Sequence, residues 1–225
     1  MMGKRLSVWL LWGWAALLAG DITGTVKVVD RKGDGLDLSE NPVIVYLDGY
    51  RREVPPELKN RNFQMDTQKK QFLPRAMVIP VGATITFTNF DPIIHNVFSV
   101  SGKNRFDGGT FKKGEVTRKT FEFPGLVRVY CNVHHQMNAV ILICDNPFFT
   151  YADKDGRYTL KNVPKGRYKL TGLHRVAGTV TIPVEVEGQG TTTQADLEVE
   201  LKTKKLKRHL NKLGQPYKRE RTKRY

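Results

Sequence analysis

Several short stretches of the chain alternate between apolar and polar residues with a period of two. Residues 22–29 (ITGTVKVV) show this alternation, and residues 43–47 (VIVYL) form a continuous apolar run that ends at the turn-forming pair Asp48-Gly49. The first pattern is typical of a half-buried β-strand and the second of a buried one. Nine further stretches fit strands: 76–79, 84–87, 96–100, 127–131, 139–143, 156–160, 166–170, 180–186 and 192–201.

Clusters of Gly, Asp, Asn and Pro separate these predicted strands, as at residues 80–82, 89–92 and 107–109. Such clusters form turns and loops. Before Leu201, no stretch of the sequence keeps the 3.6-residue period of an amphipathic helix. We therefore predict an all-β fold, built as a sandwich or a barrel.

The C-terminal segment differs from the rest in both pattern and charge. Residues 204–213 place Leu206, Leu210 and Leu213 on one helical face, and a Gly and a Pro follow within three residues, which predicts a short helix. The chain holds 37 Lys and Arg against 22 Asp and Glu, a net charge of +15. Eleven of these basic residues, and only one acid, lie within residues 202–225, so this basic tail carries +10.

The first twenty residues have the layout of a secretory signal peptide. Lys4 and Arg5 precede the mainly apolar residues 6–19, and the small pair Ala19-Gly20 completes the pattern. Fourteen residues are short for a bilayer span, which takes roughly 20, although an uncleaved anchor helix is the alternative. We expect cleavage near Ala19-Gly20 and a periplasmic or secreted protein.

Export changes how the charge is interpreted. A charge of +15 alone would favour an acidic partner such as nucleic acid. The basic tail and the pair Lys4-Arg5 account for +12 of it, so residues 6–201 carry only +3. Because an exported protein rarely meets nucleic acid, we expect no nucleic-acid partner. The tail is instead predicted to contact an anionic membrane surface or an acidic partner, with a solvated tail as the alternative.

Residues 127–141 (VRVYCNVHHQMNAVI) contain the candidate chemistry. Cys131, His134 and Met137 form a C-x2-H-x2-M spacing between two predicted strands, and His95 lies upstream in DPIIHNVFSV. One thiolate, two imidazoles and one thioether match a blue-copper site, in which two His and one Cys bind in a trigonal set and Met is a weak axial ligand. We therefore predict that these four residues hold one copper ion.

Two neighbours of these ligands have expected roles. Asn96, beside His95, is predicted to hydrogen-bond to the loop around Cys131. His135 follows the predicted ligand His134 directly. It is either a solvent-facing histidine or a modifier of the site, through alternative ligation or through its own protonation. Each ligand taken singly also has a purely structural explanation, as a strand-end His, a core Met or a buried Cys.

A disulfide between Cys131 and Cys144 would remove the thiolate that copper requires. The sequence has only these two cysteines, which excludes a disulfide-rich scaffold and a four-cysteine zinc site. In a hairpin centred on residues 134–135, Cys144 lies about 20 Å along the strand from the position opposite Cys131, at ~3.3 Å per residue. Bridged cysteines have Cα atoms within about 7 Å. We therefore predict no disulfide and a buried free thiol at Cys144.

Residues 63–145 resemble a cupredoxin, most closely the amicyanin-like and methylamine-utilisation-protein-like branch. The matching segments are PVGATITFTNFDPIIHNVFS, FKKGEVTRKTFEFPGLVRVYCNVHHQM and NAVILI. The resemblance implies a Greek-key β-sandwich and a type 1 copper ion held by His95, Cys131, His134 and Met137. It also implies one-electron transfer with a redox partner of the cytochrome or quinoprotein type. Relatives usually have proline where this chain has His135.

Residues 151–170 (YADKDGRYTLKNVPKGRYKL) resemble the signature of carboxypeptidase-regulatory-like, transthyretin-like β-sandwich modules. Such modules begin with a G-x-V strand, which residues 24–26 supply. We therefore hypothesise that residues 21–50 pair with residues 146–201, with the copper domain between them in sequence. No catalysis is expected of this module.

These observations predict five segments and one function. The segments are a signal peptide (1–20), an N-terminal β segment (21–55), a cupredoxin-like copper domain (56–145), a carboxypeptidase-regulatory-like β module (146–201) and the basic tail (202–225). The expected function is exported one-electron transfer. The alternatives are copper handling without redox turnover and a metal-free β-sandwich binding protein. We expect no enzyme, because five histidines are too few for a multicopper oxidase and no G-x-S-x-G motif occurs.

Overall fold

A computed structural model describes residues 18–39, 41–134, 136–201, 211–213 and 215. These residues are almost entirely strands and loops, so the all-β prediction is confirmed. Most of the predicted signal peptide, residues 204–210 of the predicted helix, and His135 lie outside the described residues. Among the described residues, no helix has the length and apolar character that a membrane crossing requires.

The described residues form seventeen strands, one α-helical turn at Pro56–Lys59 and one 3-10 turn at Gly102–Asn104. The strands are β1 (Ala19–Val29), β2 (Ile44–Asp48), β3 (Phe63–Gln68), β4 (Gln71–Leu73), β5 (Ala76–Pro80), β6 (Thr84–Asn89), β7 (His95–Ser99), β8 (Phe106–Phe111), β9 (Val116–Thr120), β10 (Gly125–Tyr130), β11 (Asn138–Cys144), β12 (Phe149–Tyr151), β13 (Arg157–Pro164), β14 (Gly166–His174), β15 (Gly178–Val186), β16 (Thr192–Gln194) and β17 (Leu197–Glu200).

The chain divides into two compact units. The first unit combines the residues up to Arg51 with Phe148–Lys202, and the second combines Arg52–Pro147 with the segment from Thr203 onward. The second unit is therefore inserted, in sequence, into the first.

The first unit contains two four-stranded sheets. Strand β1 lies between β13, which runs antiparallel to it, and β16 and β17, which run parallel to it. The other sheet has the order β12-β2-β14-β15. Ile22, Val26 and Val28 of β1 are buried at every second position, which is the consequence of the alternation in the sequence. The N-terminal segment thus supplies strands to both sheets of this unit.

A close backbone approach fixes one residue of β1 as glycine. A Cβ atom at Gly24 would lie 1.7 Å from the carbonyl oxygen of Ala195 and 2.6 Å from its carbonyl carbon. Tyr158 of β13 donates a hydrogen bond to the same carbonyl oxygen. The side-chain-free face of Gly24 therefore lets the segment between β16 and β17 pack directly on β1.

The second unit is also built from two sheets, in the orders β5-β11-β10-β7-β8 and β4-β3-β6-β9. One apolar cluster receives fully buried side chains from both sheets, including Met65 and Phe87 from the four-stranded sheet and Val97, Val129 and Ile141 from the five-stranded sheet. A shared core of this kind defines a β-sandwich. The start of β7, the end of β10 and the start of β11 lie at the same end of the five-stranded sheet, where the candidate site lies.

Candidate metal centre

Two strands and one tight loop position the predicted donors. His95 is the first residue of β7, and Cys131 follows the last residue of β10. In the β10–β11 hairpin Tyr130 pairs with Asn138, so the loop that carries the other two donors is short. The Cys131 N–H donates to the Met137 carbonyl oxygen at 3.3 Å, and the Met137 N–H donates to the His134 carbonyl oxygen at 2.9 Å. The loop backbone is therefore held by its own hydrogen bonds.

Three donor atoms converge at this end of the sheet. The Nδ1 atom of His95 lies 3.8 Å from the Cys131 Sγ and 3.2 Å from the His134 Nδ1, and the Sγ lies 3.9 Å from the His134 Nδ1. Nitrogen and sulfur donors bound to one ion at about 2.0 and 2.3 Å, the values for zinc, lie roughly 3.3 to 3.7 Å from each other. The three observed distances lie within about 0.2 Å of this range, so the three side chains fit a single metal ion.

The donors differ in their access to solvent. His95 and Cys131 are fully buried, whereas His134 is only half-buried. The imidazole rings of His95 and His134 lie 4.8 Å apart between centroids, with an interplanar angle of 59°. Met137 is buried in the same apolar cluster as Cys131. Its place as a fourth ligand stays a prediction, as does the role of His135.

Neither cysteine forms a disulfide, and both are buried. Cys144 is the last residue of β11, while Cys131 lies at the opposite end of the hairpin. The prediction that Cys144 is a buried thiol at a strand end and outside any disulfide is confirmed. The Cys131 sulfur is therefore free to serve as a ligand.

Asn96 connects β7 to the loop that follows Cys131. Its Oδ1 accepts the backbone N–H of Asn132 at 3.3 Å, and its Nδ2 donates to the Asp107 carboxylate at 2.9 Å and to the Gly109 carbonyl oxygen at 2.8 Å. The Asn96 side chain thus connects β7 and β8 to the loop of residues 131–137 (the metal loop), which fixes this loop relative to His95.

Asp91 is a partner of the site that the sequence interpretation treated only as part of a turn. Its Oδ2 lies 2.8 Å from the Nε2 of His95. Burial of the carboxyl group favours its neutral form, but hydrogen bonds from the Lys70 N–H, from His95 and from the Lys69 N–H outweigh that effect and lower the pKa of Asp91. Ligand histidines commonly donate their other ring N–H to a carboxylate. The position of Asp91, four residues before His95, is therefore the feature of the sequence that could have identified this contact.

Lys212 of the predicted basic tail contacts the same region. Its backbone N–H donates to the Asn132 Oδ1 at 3.3 Å, and its Nζ lies 2.8 Å from the Asp107 Oδ2. Asn132 and Asp107 both bond to Asn96, so the four residues close a ring of hydrogen bonds beside Cys131.

We expect Lys212→Met to shift the side-chain amide resonances of Asn96 in the metal-free protein, because Asp107 loses its cation. About 1 M NaCl should cause a similar shift in the unmodified protein, since it shortens the screening length to about 3 Å. The free energy of unfolding should fall by no more than about 1 kcal/mol, as for other exposed ion pairs. The measurement is a two-dimensional 1H–15N NMR spectrum.

A matched control is available in the first unit. Lys165 forms an exposed ion pair with Glu187 at 3.3 Å, so Lys165→Met removes the same kind of pair elsewhere. Equal shifts at Asn96 in both variants, or none in either, would contradict a specific contact of Lys212.

The known proteins that are similar to this chain come from the comparison with solved structures. No protein-family model and no curated protein matches the chain. A purple cupredoxin from Nitrosopumilus maritimus is 24% identical and matches over 37% of this chain and 100% of its own, with a TM-score of 0.33. A reduced mutant of amicyanin is 21% identical over 44% of this chain and 98% of its own, with a TM-score of 0.36.

A third neighbour corrects one prediction. The copper-containing nitrite reductase NirK from Thermus scotoductus is 23% identical over 52% of this chain, which corresponds to 28% of its own length, with a TM-score of 0.36. An enzyme is thus among the similar structures, and the prediction that the chain is not an enzyme is contradicted. That prediction used a histidine count and one nucleophile motif, and neither excludes chemistry at a metal site.

Proposed function

We propose that the second unit binds one copper ion through His95, Cys131 and His134, with Met137 as the fourth ligand, and that the chain exchanges single electrons with a partner protein. The observation that carries the proposal is the convergence of two Nδ1 atoms and one Sγ atom, all within 4.8 Å of one another. A thiolate suits Cu(I) and imidazole suits copper generally, so this donor set is the one a copper redox site needs. When bound, copper supplies the change between Cu(I) and Cu(II).

The fold itself supports the donor set. Hydrogen bonds hold the loop between Cys131 and Met137, and Asn96 ties that loop to β7. Ligands fixed by the fold move little when the charge of the ion changes, which favours electron transfer. A site used only to store or deliver copper has no need of this rigidity.

His134 is the proposed exit for the electron. It is the most exposed of the three donors, and large apolar side chains are exposed in the segments that carry the two histidines. These side chains are Phe90, Ile94 and Val133, which are 51%, 47% and 49% exposed. We propose that a redox partner of the cytochrome or quinoprotein type docks at this apolar surface, and that the basic tail contacts an acidic partner or an anionic membrane.

The proposed location is the periplasm or the outside of the cell. The layout of residues 1–20 supports export, and so does the resemblance to cupredoxins. Detection of the chain in a periplasmic fraction, shortened near Ala19-Gly20, is the expected result.

Titration with Cu(II) tests the proposed function. We expect the metal-free protein to bind one equivalent of copper, to develop an intense visible band from thiolate-to-copper charge transfer, and to lose the band reversibly on addition of a mild reductant. Binding without the band would instead support copper handling. If the protein bound no copper, the remaining alternative would be a β-sandwich protein that binds a partner without a metal.

A further inference from the structure

The contact between Asp91 and His95 determines which ring nitrogen of the histidine carries hydrogen. The Asp91 Oδ2 lies 2.8 Å from the His95 Nε2, and the His95 side chain is fully buried. Both Asp91 carboxylate oxygens also face backbone N–H donors, those of Lys69 and Lys70, so this carboxylate is placed as a hydrogen-bond acceptor. The Nε2 must therefore be the donor, and it holds the ring hydrogen.

This arrangement leaves the other ring nitrogen available. A neutral imidazole has one protonated and one unprotonated nitrogen, so the Nδ1 of His95 presents a lone pair. That atom faces the Cys131 sulfur at 3.8 Å and the His134 Nδ1 at 3.2 Å. The tautomer that Asp91 selects is thus the one that a metal ion at this site requires.

Asp91 is itself anchored away from the metal loop. Its two carboxylate oxygens accept the backbone N–H groups of Lys69 and Lys70 at 2.7 and 2.9 Å. Both lysines have positive φ angles, 52° and 56°, in the two-residue turn between β3 and β4. The backbone N–H of Asp91 donates to the Asn89 Oδ1 at 2.9 Å. The orientation of the Asp91 carboxylate is therefore fixed by the sheet β4-β3-β6-β9.

We propose that Asp91 is a positioning residue. It holds His95 in the Nε2–H tautomer, sets the direction of the Nδ1 lone pair, and makes Nδ1 a more basic metal ligand. The part of this proposal that concerns metal affinity rests on the proposed copper function. The part that concerns the tautomer requires no metal.

The test is a pair of measurements on the full chain with Asp91→Asn. An asparagine can turn its NH2 group toward Nε2, which would move the ring hydrogen to Nδ1. In long-range 1H–15N spectra of the metal-free protein, recorded well above the ordinary histidine pKa of about 6.5, we expect His95 to be Nε2–H in the unmodified protein and to gain Nδ1–H in the variant. Copper affinity should fall about 10- to 100-fold.

Controls separate positioning from a general loss of structure. Asp196→Asn makes the same change at another carboxylate that caps a backbone N–H, that of Thr25 at 2.7 Å, and should leave His95 and copper affinity unchanged. If Asp91→Asn fails to fold, the substitutions Lys69→Asn and Lys70→Gly provide a more stable turn, since Asn-Gly is favoured where both φ angles are positive. The measurement is then repeated in that background, with and without Asp91→Asn.

The outcomes are distinct. His95 in the Nδ1–H form in the unmodified protein, or an unchanged tautomer and copper affinity in a folded Asp91→Asn variant, would overturn the proposal. A tautomer change in the variant supports it even if copper fails to bind the unmodified protein, and in that case the proposed copper function alone is wrong.

Discussion

Cys131→Ala is expected to abolish the visible charge-transfer band of the copper-loaded protein. The Cys131 sulfur is the only thiolate in the triangle of donors, at 3.8 and 3.9 Å from the two Nδ1 atoms. Without it, two imidazoles and the proposed Met137 thioether remain, and none of these gives the thiolate-to-copper transition. The remaining set also lacks the soft, anionic ligand that suits Cu(I), so affinity for the reduced ion should fall most. Copper titration under reducing and oxidising conditions measures both effects.

Cys144→Ala is the matched control for this prediction. It removes the same atom from the other buried cysteine, at the far end of β11. We expect the copper band to remain and copper affinity to stay unchanged. A band that survives Cys131→Ala and disappears with Cys144→Ala would show that the other cysteine supplies the thiolate.

The donors themselves could be predicted because their arrangement is mostly local. Cys131 and His134 lie within four residues, in the same loop as Met137, whose ligand role stays a prediction, and the apolar runs on both sides predict the hairpin that encloses them. A hairpin centred on residues 134–135 places Asn138 opposite Cys131, whereas in the structure Tyr130 pairs with Asn138, a difference of one residue. His95 comes from a separate strand, yet its position at the start of an apolar run predicts that strand as well.

The residues that support the donors were harder to predict, because their partners are distant in sequence. Asp91 is near His95, but its role depends on the turn at Lys69 and Lys70, which the sequence analysis did not identify. The contacts of Lys212 span 80 residues to Asn132 and 105 residues to Asp107. Periodicity reports which face of a strand is buried and carries no information on such pairings.

Strand β8 was not predicted, for a different reason. Strand β8 contains residues 107–109, which the sequence analysis interpreted as a turn because of their Asp and two Gly. Gly108 is required for a different purpose: a Cβ atom there would lie 2.9 Å from the Val97 side chain on the neighbouring strand β7. Glycine in a strand can mark close packing instead of a turn, and only the three-dimensional structure distinguishes the two.

The pairing of the N-terminal segment with the C-terminal segment is an interaction between parts of the chain far apart in sequence. Thr23 of β1 pairs with Thr159 of β13, and Val26 pairs with Leu197 of β17. Because β1 lies in the interior of its sheet, a change that separates it from its neighbours disrupts the whole first unit. At Gly24, a single added carbon would cause such a separation, because it would lie 1.7 Å from the Ala195 carbonyl oxygen.

Gly24→Ala is expected to lower the free energy of unfolding by more than about 3 kcal/mol, beyond the usual range for overpacking. The added carbon would lie 1.7 Å from the Ala195 carbonyl oxygen, and backbone cannot move aside as the end of a flexible side chain can. Relief of the clash requires β1 and the segment before β17 to separate, which also breaks the hydrogen bond from Tyr158 to Ala195. Urea unfolding followed by far-ultraviolet circular dichroism measures the loss.

Gly35→Ala gives the matched control, because it makes the same change in the same unit at a position with open space. No atom lies within 4 Å of a Cβ built on Gly35, and its φ angle is outside the range that favours glycine. We expect a change of less than about 1 kcal/mol, or a slight gain from the reduced entropy of the unfolded chain. Similar losses in the two variants would mean that Gly24 does not lie against Ala195, and that β1 is not held between β13 and β17.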